Sequence, residues 1–285
     1  MKIGCIGQGF VGKNTADDFA NRGFSVVRYA LEAEYVDNRD EIADCDIVFI
    51  AVPTPTTPAG PDSSIVAKVI SLAADDSIVV IKSTILPGTT KELQSQYPNK
   101  IILFSPEFLL EKTAAFDAAN PIMNVIGCSL YTKEQKAAAD KVMSVLPDSK
   151  HNYVVTAEQA ELQKYAHNIQ GYFRIVLSNL LYEVAGKMET DWGPIKQMMD
   201  SDPMMSPWYN DPVHKGGRGA GGNCFIKDMA AFRGYYEKLL ETDEEGVALL
   251  KAMERKNIEL LLASSKNIDL VTEVYGEEMT NGNRK

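Results

Sequence analysis

Through the first half of this 285-residue chain, short runs rich in Val and Ile alternate with stretches of helical spacing, and few folds accommodate that alternation. The runs at 2–6, 25–29, 46–52, 78–82, 101–105 and 124–127 are mostly continuously apolar, as strands buried on both faces must be. Helical patterns at 11–22, 64–74, 89–97 and 133–145 separate them. The expectation is an α/β fold, a Rossmann-like, doubly wound, mostly parallel sheet with helices on both faces.

After a last strand-like run at 152–155 only helical patterns remain. Thr156 and Gln159 have the spacing of a capping box, and the pattern they open continues to about Lys187. At about 1.5 Å per residue such a helix would run to roughly 45 Å, more than one small domain needs. Its stripe of Ile169, Phe173, Val176, Leu177, Leu180, Leu181 and Val184 exceeds the demand of one small core, so a homodimer through this helix is expected. A loop rich in Pro, Met and Gly at 200–222 precedes helices at 225–240 and 244–263, and the polar tail at 277–285 is expected to fray. Two domains follow: residues 1–155, Rossmann-like, and residues 156–285, all-helical and built on the long central helix.

A net charge of −10 would repel phosphate backbones, which argues against nucleic acid as a partner. No apolar stretch is long enough to span a membrane and no leader is visible, so the expected setting is the cytoplasm. Cys5, Cys45, Cys128 and Cys224 lack metal-ligand spacing, so no metal is expected and the thiols should be reduced.

Gly7-Gln8-Gly9-Phe10-Val11-Gly12 follows the first strand and opens the first helix. Its glycines allow a tight turn and close backbone approach, while the helix N-terminus offers N–H groups to a pyrophosphate. The acidic residue that should close the second strand, to hold the adenosine ribose, is replaced by Ala30. Nearby Arg28 would suit the 2′-phosphate of NADP, so NAD is the reading and NADP the alternative. Val52, Pro53 and Thr54 end the third strand on the side where open α/β sheets bind ligands.

Cys224 closes a glycine-rich stretch and begins a helix, where backbone N–H groups favour the thiolate. Asp228 lies four residues on, on the same helix face. Glu161, Lys164 and Asn168 share one face of the long helix, where Lys164 and Asn168 could hold an oxyanion.

With these residues the sequence resembles the UDP-glucose/GDP-mannose 6-dehydrogenase family. The resemblance runs through the turn at 7–12, Val52-Pro53-Thr54-Pro55, Lys82-Ser83-Thr84 with Pro87-Gly88-Thr89-Thr90, and Ser105-Pro106-Glu107-Phe108-Leu109 with Glu111. Ala160-Glu161 with Lys164 and Asn168, and Gly221-Gly222-Asn223-Cys224 with Lys227-Asp228, complete it. It implies oxidation of UDP-glucose, or a related nucleotide sugar, to the uronate in two NAD-dependent steps through a Cys224 thiohemiacetal and thioester, in the service of polysaccharide biosynthesis. Lys164 and Asn168 would stabilise the oxyanion, Asp228 and Thr84 hold a water, and Glu107 act as a base. Gly7, Gly9, Phe10, Val11, Gly12, Val52, Pro53, Thr54, Thr84, Glu111 and Lys227 would face the cofactor; Lys164, Asn168, Arg218 and Gly221 the substrate. Lys215 is a second candidate for a substrate phosphate. Full-length relatives carry a further α/β domain that this sequence is expected to lack. Two alternatives stay open: a two-electron hydroxy-acid dehydrogenase that needs no cysteine, and a dinucleotide-binding subunit whose catalysis has lapsed.

Overall fold

The computed structural model describes residues 1–281, and the chain divides into two compact units. The first comprises Met1–Thr54 and Asp62–Lys164. In chain order its elements begin with β1 (Lys2–Ile6), α1 (Phe10–Asn21), β2 (Ser25–Tyr29) and β3 (Ile47–Ile50). The short β4 (Thr56–Thr57) and β5 (Gly60–Pro61) form a hairpin that belongs to the second unit. The first unit resumes with α2 (Ser64–Ile70), β6 (Ile78–Ile81), α3 (Thr89–Gln96), β7 (Ile101–Phe104), α4 (Ala114–Ala119), β8 (Met123–Cys128), α5 (Lys133–Met143) and β9 (His151–Thr156).

Seven strands form one sheet in the order β2-β1-β3-β6-β7-β8-β9, parallel throughout except where β7 meets β8. Alternation along each strand builds a core on each face. Val48, Ile50, Val79 and Ile81 pack with Val66, Ile70 and Leu93 of α2 and α3. Ile47, Phe49 and Val80 pack with Phe19 of α1 and Val142 of α5. Each such fully buried side chain contributes on the order of 2 kcal/mol, so the central strands β3, β6 and β7 read as apolar on every position. Strand order reverses between β1 and β3, and ligands of open α/β sheets bind beyond the strand ends at that point.

The helix α6 (Ala157–Lys187) opens with the expected box: Thr156 N–H donates to Gln159 Oε1 at 3.0 Å, and Gln159 N–H to Thr156 Oγ1 at 3.4 Å. Its first turn lies so close to β8 that a Cβ on Gly127 would come 2.7 Å from Ala157 Cα, which is why small residues stand at Gly127, Ala157 and Ala160.

The second unit comprises Pro55–Pro61 and Tyr165–Lys285. Beside the rest of α6 it contains α7 (Trp192–Ser201), the β10 (Val213–His214) and β11 (Gly217–Arg218) hairpin, α8 (Gly222–Leu239), α9 (Glu244–Ala263), α10 (Ile268–Tyr275) and α11 (Glu277–Asn281). Several sequence expectations change here. The loop at 200–222 contains a small hairpin, so the region is not purely helical. The segment after Ser264 adds Val271 and Val274 to a core with Ile226, Leu261 and Ile258, because its apolar residues fall on one face of α10. Glu277–Asn281 is helical rather than frayed; the rest of the expected tail, 282–285, lies outside the described residues. Of the stripe on α6, Ile169, Phe173 and Val176 pack into a core with Tyr172 and Met229, while Leu177, Leu180, Leu181 and Val184 are exposed. Among the described residues no helix is long and apolar enough to cross a membrane, and no cluster of His, Cys, Asp and Glu could hold a metal ion.

Candidate active site

The turn at 7–12 joins β1 to α1 at the point where strand order reverses. Gly7 has φ +87°, and a Cβ there would strike the Ala51 carbonyl; a Cβ on Gly12 would strike the Gly7 carbonyl. These two glycines let the turn close. Gly9 differs, since a Cβ there would meet nothing within 4 Å. Gly9 is also the N-cap of α1, which has no side-chain cap among the described residues. Open space above a bare N-terminus fits a pyrophosphate. Phe10, 46% exposed, and Val11 begin the helix beside it. Val52 is held by Ser83, whose Oγ accepts from its N–H at 2.9 Å and donates to its carbonyl at 2.8 Å. This clamp aligns the ends of β3 and β6, and with them Pro53, Thr54 and Thr84. Arg28 is paired with a neighbouring carboxylate: its Nη1 donates to Asp17 Oδ1 at 2.6 Å.

A buried ionic cluster lies at the ends of β6 and β7. Lys164, 4% exposed, donates through Nζ to the Glu107 carbonyl at 2.7 Å and to Glu107 Oε1 at 3.0 Å. Burial alone would raise the Glu107 carboxyl, but Lys164, the Leu109 N–H and Lys82 outweigh it and hold the group below its usual range. Lys82 donates to the Ser105 carbonyl, and burial pushes its ammonium down to about 8. One turn before Lys164, the fully buried Glu161 accepts from the N–H groups of Gly88 (2.6 Å) and Thr90 (2.9 Å) and from Thr90 Oγ1 (2.6 Å). Burial raises its carboxyl, and these donors temper the rise. Glu161 thereby fixes the N-terminus of α3 to the helix that bears Lys164. Glu111 is exposed in the turn before α4.

In the second unit Cys224 sits in the first turn of α8 and is exposed, whereas Cys5, Cys45 and Cys128 are buried. One turn on, Asp228 is 1% exposed and accepts from Asn168 Nδ2 at 2.5 Å and from Lys227 Nζ at 2.5 Å. Tyr209, given no role from the sequence, stands beside the cysteine: burial raises its phenol and the nearby Cys224 charge adds to the rise. Its ring meets Phe225 edge-on at 5.5 Å, and both rings press on bare Gly171 of α6. The Trp208-Tyr209-Asn210 run in a Pro- and Met-rich loop was the available signal. Arg218 is turned to α6, donating to Asn179 Oδ1 at 2.8 Å and Glu183 Oε1 at 2.9 Å. Gly221 caps α8, and a Cβ there would collide with Asn267.

Among the residues singled out in the sequence, Lys164 meets Glu107, with Lys82 close by, and Asn168 meets Asp228, which also binds Lys227 and lies one turn from Cys224. Lys164 and Asn168 are one turn apart on α6. Two family models match in succession: the NAD binding domain of the UDP-glucose/GDP-mannose dehydrogenase family over residues 30–145, and its central domain over residues 158–259. The chain belongs to this family. Its dinucleotide is therefore NAD. The turn at 7–12 lies before the first matched segment, so its reading rests on the geometry above. A UDP-glucose 6-dehydrogenase of Haloferax volcanii is 26% identical over 298 residues, 85% of this chain and 68% of that one. The structure of a UDP-glucose dehydrogenase from Pyrobaculum islandicum superposes with a TM-score of 0.76 at 25% identity, over 92% of this chain and 70% of that one. A Mycobacterium tuberculosis 3-hydroxyisobutyrate dehydrogenase shares the fold alone, with a TM-score of 0.70 at 12% identity over 100% of this chain and 99% of its own. The chain spans about half the length of most curated relatives it matches.

Proposed function

We propose that this chain carries the chemistry of a nucleotide-sugar 6-dehydrogenase, oxidising UDP-glucose or a related nucleotide sugar to the uronate in two NAD-dependent steps. The observation that carries the reading is the buried Asn168–Asp228 pair with an exposed cysteine one turn up the same helix. When bound, NAD accepts the hydride that leaves the substrate carbon. In the first step the C6 hydroxyl gives its proton to a water held by Asp228 and Thr84 as the hydride departs, leaving an aldehyde. The Cys224 thiolate adds to that carbon, and the oxygen, held by Lys164 and Asn168, takes up a proton to give a thiohemiacetal. Loss of a second hydride and of the hydroxyl proton gives a thioester and a second NADH. Water, deprotonated by Glu107, then displaces the thiolate and yields the uronate.

The Lys164–Glu107 pair gives this sequence an internal order. While Lys164 is bound to Glu107, the carboxylate is a weak base. When the ammonium turns to a substrate oxyanion, Glu107 loses its strongest charge partner and becomes more basic at the stage that needs a base. We also propose a homodimer through Leu177, Leu180, Leu181 and Val184, and a cytoplasmic setting in which the thiols stay reduced.

The test is turnover with NAD on UDP-glucose, UDP-N-acetylmannosamine and GDP-mannose, with Cys224→Ser alongside. Uronate from at least one sugar is expected, reduced in the variant by about 10³-fold or more. Turnover of a small hydroxy acid that survives Cys224→Ser would overturn the reading.

A further inference from the structure

The glycine-rich stretch before Cys224 is held, peptide by peptide, by side chains from the end of α9 and the start of α10. Ser264 Oγ accepts from the Arg218 N–H at 2.9 Å. Lys266 Nζ donates to the Gly219 carbonyl at 2.9 Å. Asn257, 1% exposed, grips the Ala220 peptide from both sides: Oδ1 accepts from its N–H at 2.6 Å and Nδ2 donates to its carbonyl at 2.9 Å. Asn267 Oδ1 accepts from the Gly222 N–H at 3.0 Å. The glycines follow from this grip. A Cβ on Gly217 would come 2.7 Å from Lys266 Cβ, and one on Gly219 3.0 Å from Asn257 Oδ1. Ordinary loops leave such groups to water; here four of five successive residues are bound to side chains, and the fifth, Gly221, is the N-cap of α8.

We infer that Asn257, Ser264, Lys266 and Asn267 are positioning residues for Cys224. By fixing the backbone from Arg218 to Gly222 they set the first turn of α8, and so the direction in which the thiol and the N–H groups around it point. Ser264, Lys266 and Asn267 lie beyond the matched central-domain segment, which ends at residue 259, and their role is read from the geometry. Their anchor is firm, because Leu261 and Val271, on either side of the clamp, are fully buried in one core.

The inference deepens the proposed function and rests on it for the consequence in turnover, but not for the consequence at the thiol. Cys224 is the exposed cysteine, so iodoacetamide alkylation, with Cys224→Ser as the blank, reads the thiol directly. Asn257→Leu and Ser264→Ala are each expected to slow alkylation about fivefold, because the helix-start N–H groups no longer favour the thiolate. Where a sugar is turned over, kcat should fall about tenfold with KM for NAD unchanged within twofold, and Ser264→Thr should restore both rates. Should Asn257→Leu fail to fold, Ser264→Ala and its Thr rescue decide alone. Alkylation that is unchanged or faster in folded Ser264→Ala overturns the inference. So does equal loss in Ser264→Ala and Ser264→Thr. Absence of turnover in the unmodified protein would count against the proposed function and leave the alkylation result to judge the clamp.

Discussion

At the scale of single residues, Lys82 carries a measurable cost. Its ammonium is desolvated at the end of a central strand, with its folded value lowered from 10.5 to about 8. A lowered value means that between pH 8 and 10.5 the unfolded chain binds more protons than the folded one, so stability rises with pH across that window. The unfolding free energy of the unmodified protein minus that of Lys82→Met is expected to increase by about 3 kcal/mol over this range in urea titrations. A difference that stays flat would show that the ammonium is adequately solvated. Glu107 works in the opposite sense of charge. Its lowered carboxyl stays ionised at neutral pH, where Lys164 needs a partner until substrate arrives.

At the scale of elements, the first turn divides its glycines by function. Gly12→Ala is expected to lower the melting temperature, since its Cβ collides with the Gly7 carbonyl. Gly9→Ala should leave the melting temperature unchanged and weaken NADH about tenfold, because its Cβ enters the space a pyrophosphate would use. Equal thermal loss in both, measured by calorimetry beside NADH titration, would contradict that division.

The same elements show what a sequence carries. β1, β2 and α9 match the sequence reading residue for residue, because each is a clean periodic run between turn residues. The run at 46–52 shortens to Ile47–Ile50, where the chain leaves the ladder toward the ligand side. Nothing in Met123–Cys128 announces that this strand meets β7 antiparallel, since a buried strand is apolar in either sense. The motifs named the site residues, but spacing could not pair them: Lys164 with Glu107 and Asn168 with Asp228 meet across 57 and 60 positions. The clamp on the glycine-rich stretch was equally hidden, because lone Asn, Ser and Lys residues near a helix end look like ordinary caps.

At the scale of the whole molecule, two claims can be separated. Exposed Leu177, Leu180, Leu181 and Val184 should seal a homodimer. Sedimentation at micromolar concentration is expected to give a dimer, and Leu177→Glu with Leu181→Glu a monomer. A monomeric unmodified protein would remove that claim without touching the chemistry. The central claim concerns the chemistry, and it predicts an electron count. Purified protein with NAD and the nucleotide sugar it turns over should yield two NADH for every uronate, with uronate formation lost in Cys224→Ser. One NADH per sugar with an aldehyde or ketone product, unaffected by Cys224→Ser, would contradict the thioester route and leave a two-electron dehydrogenase.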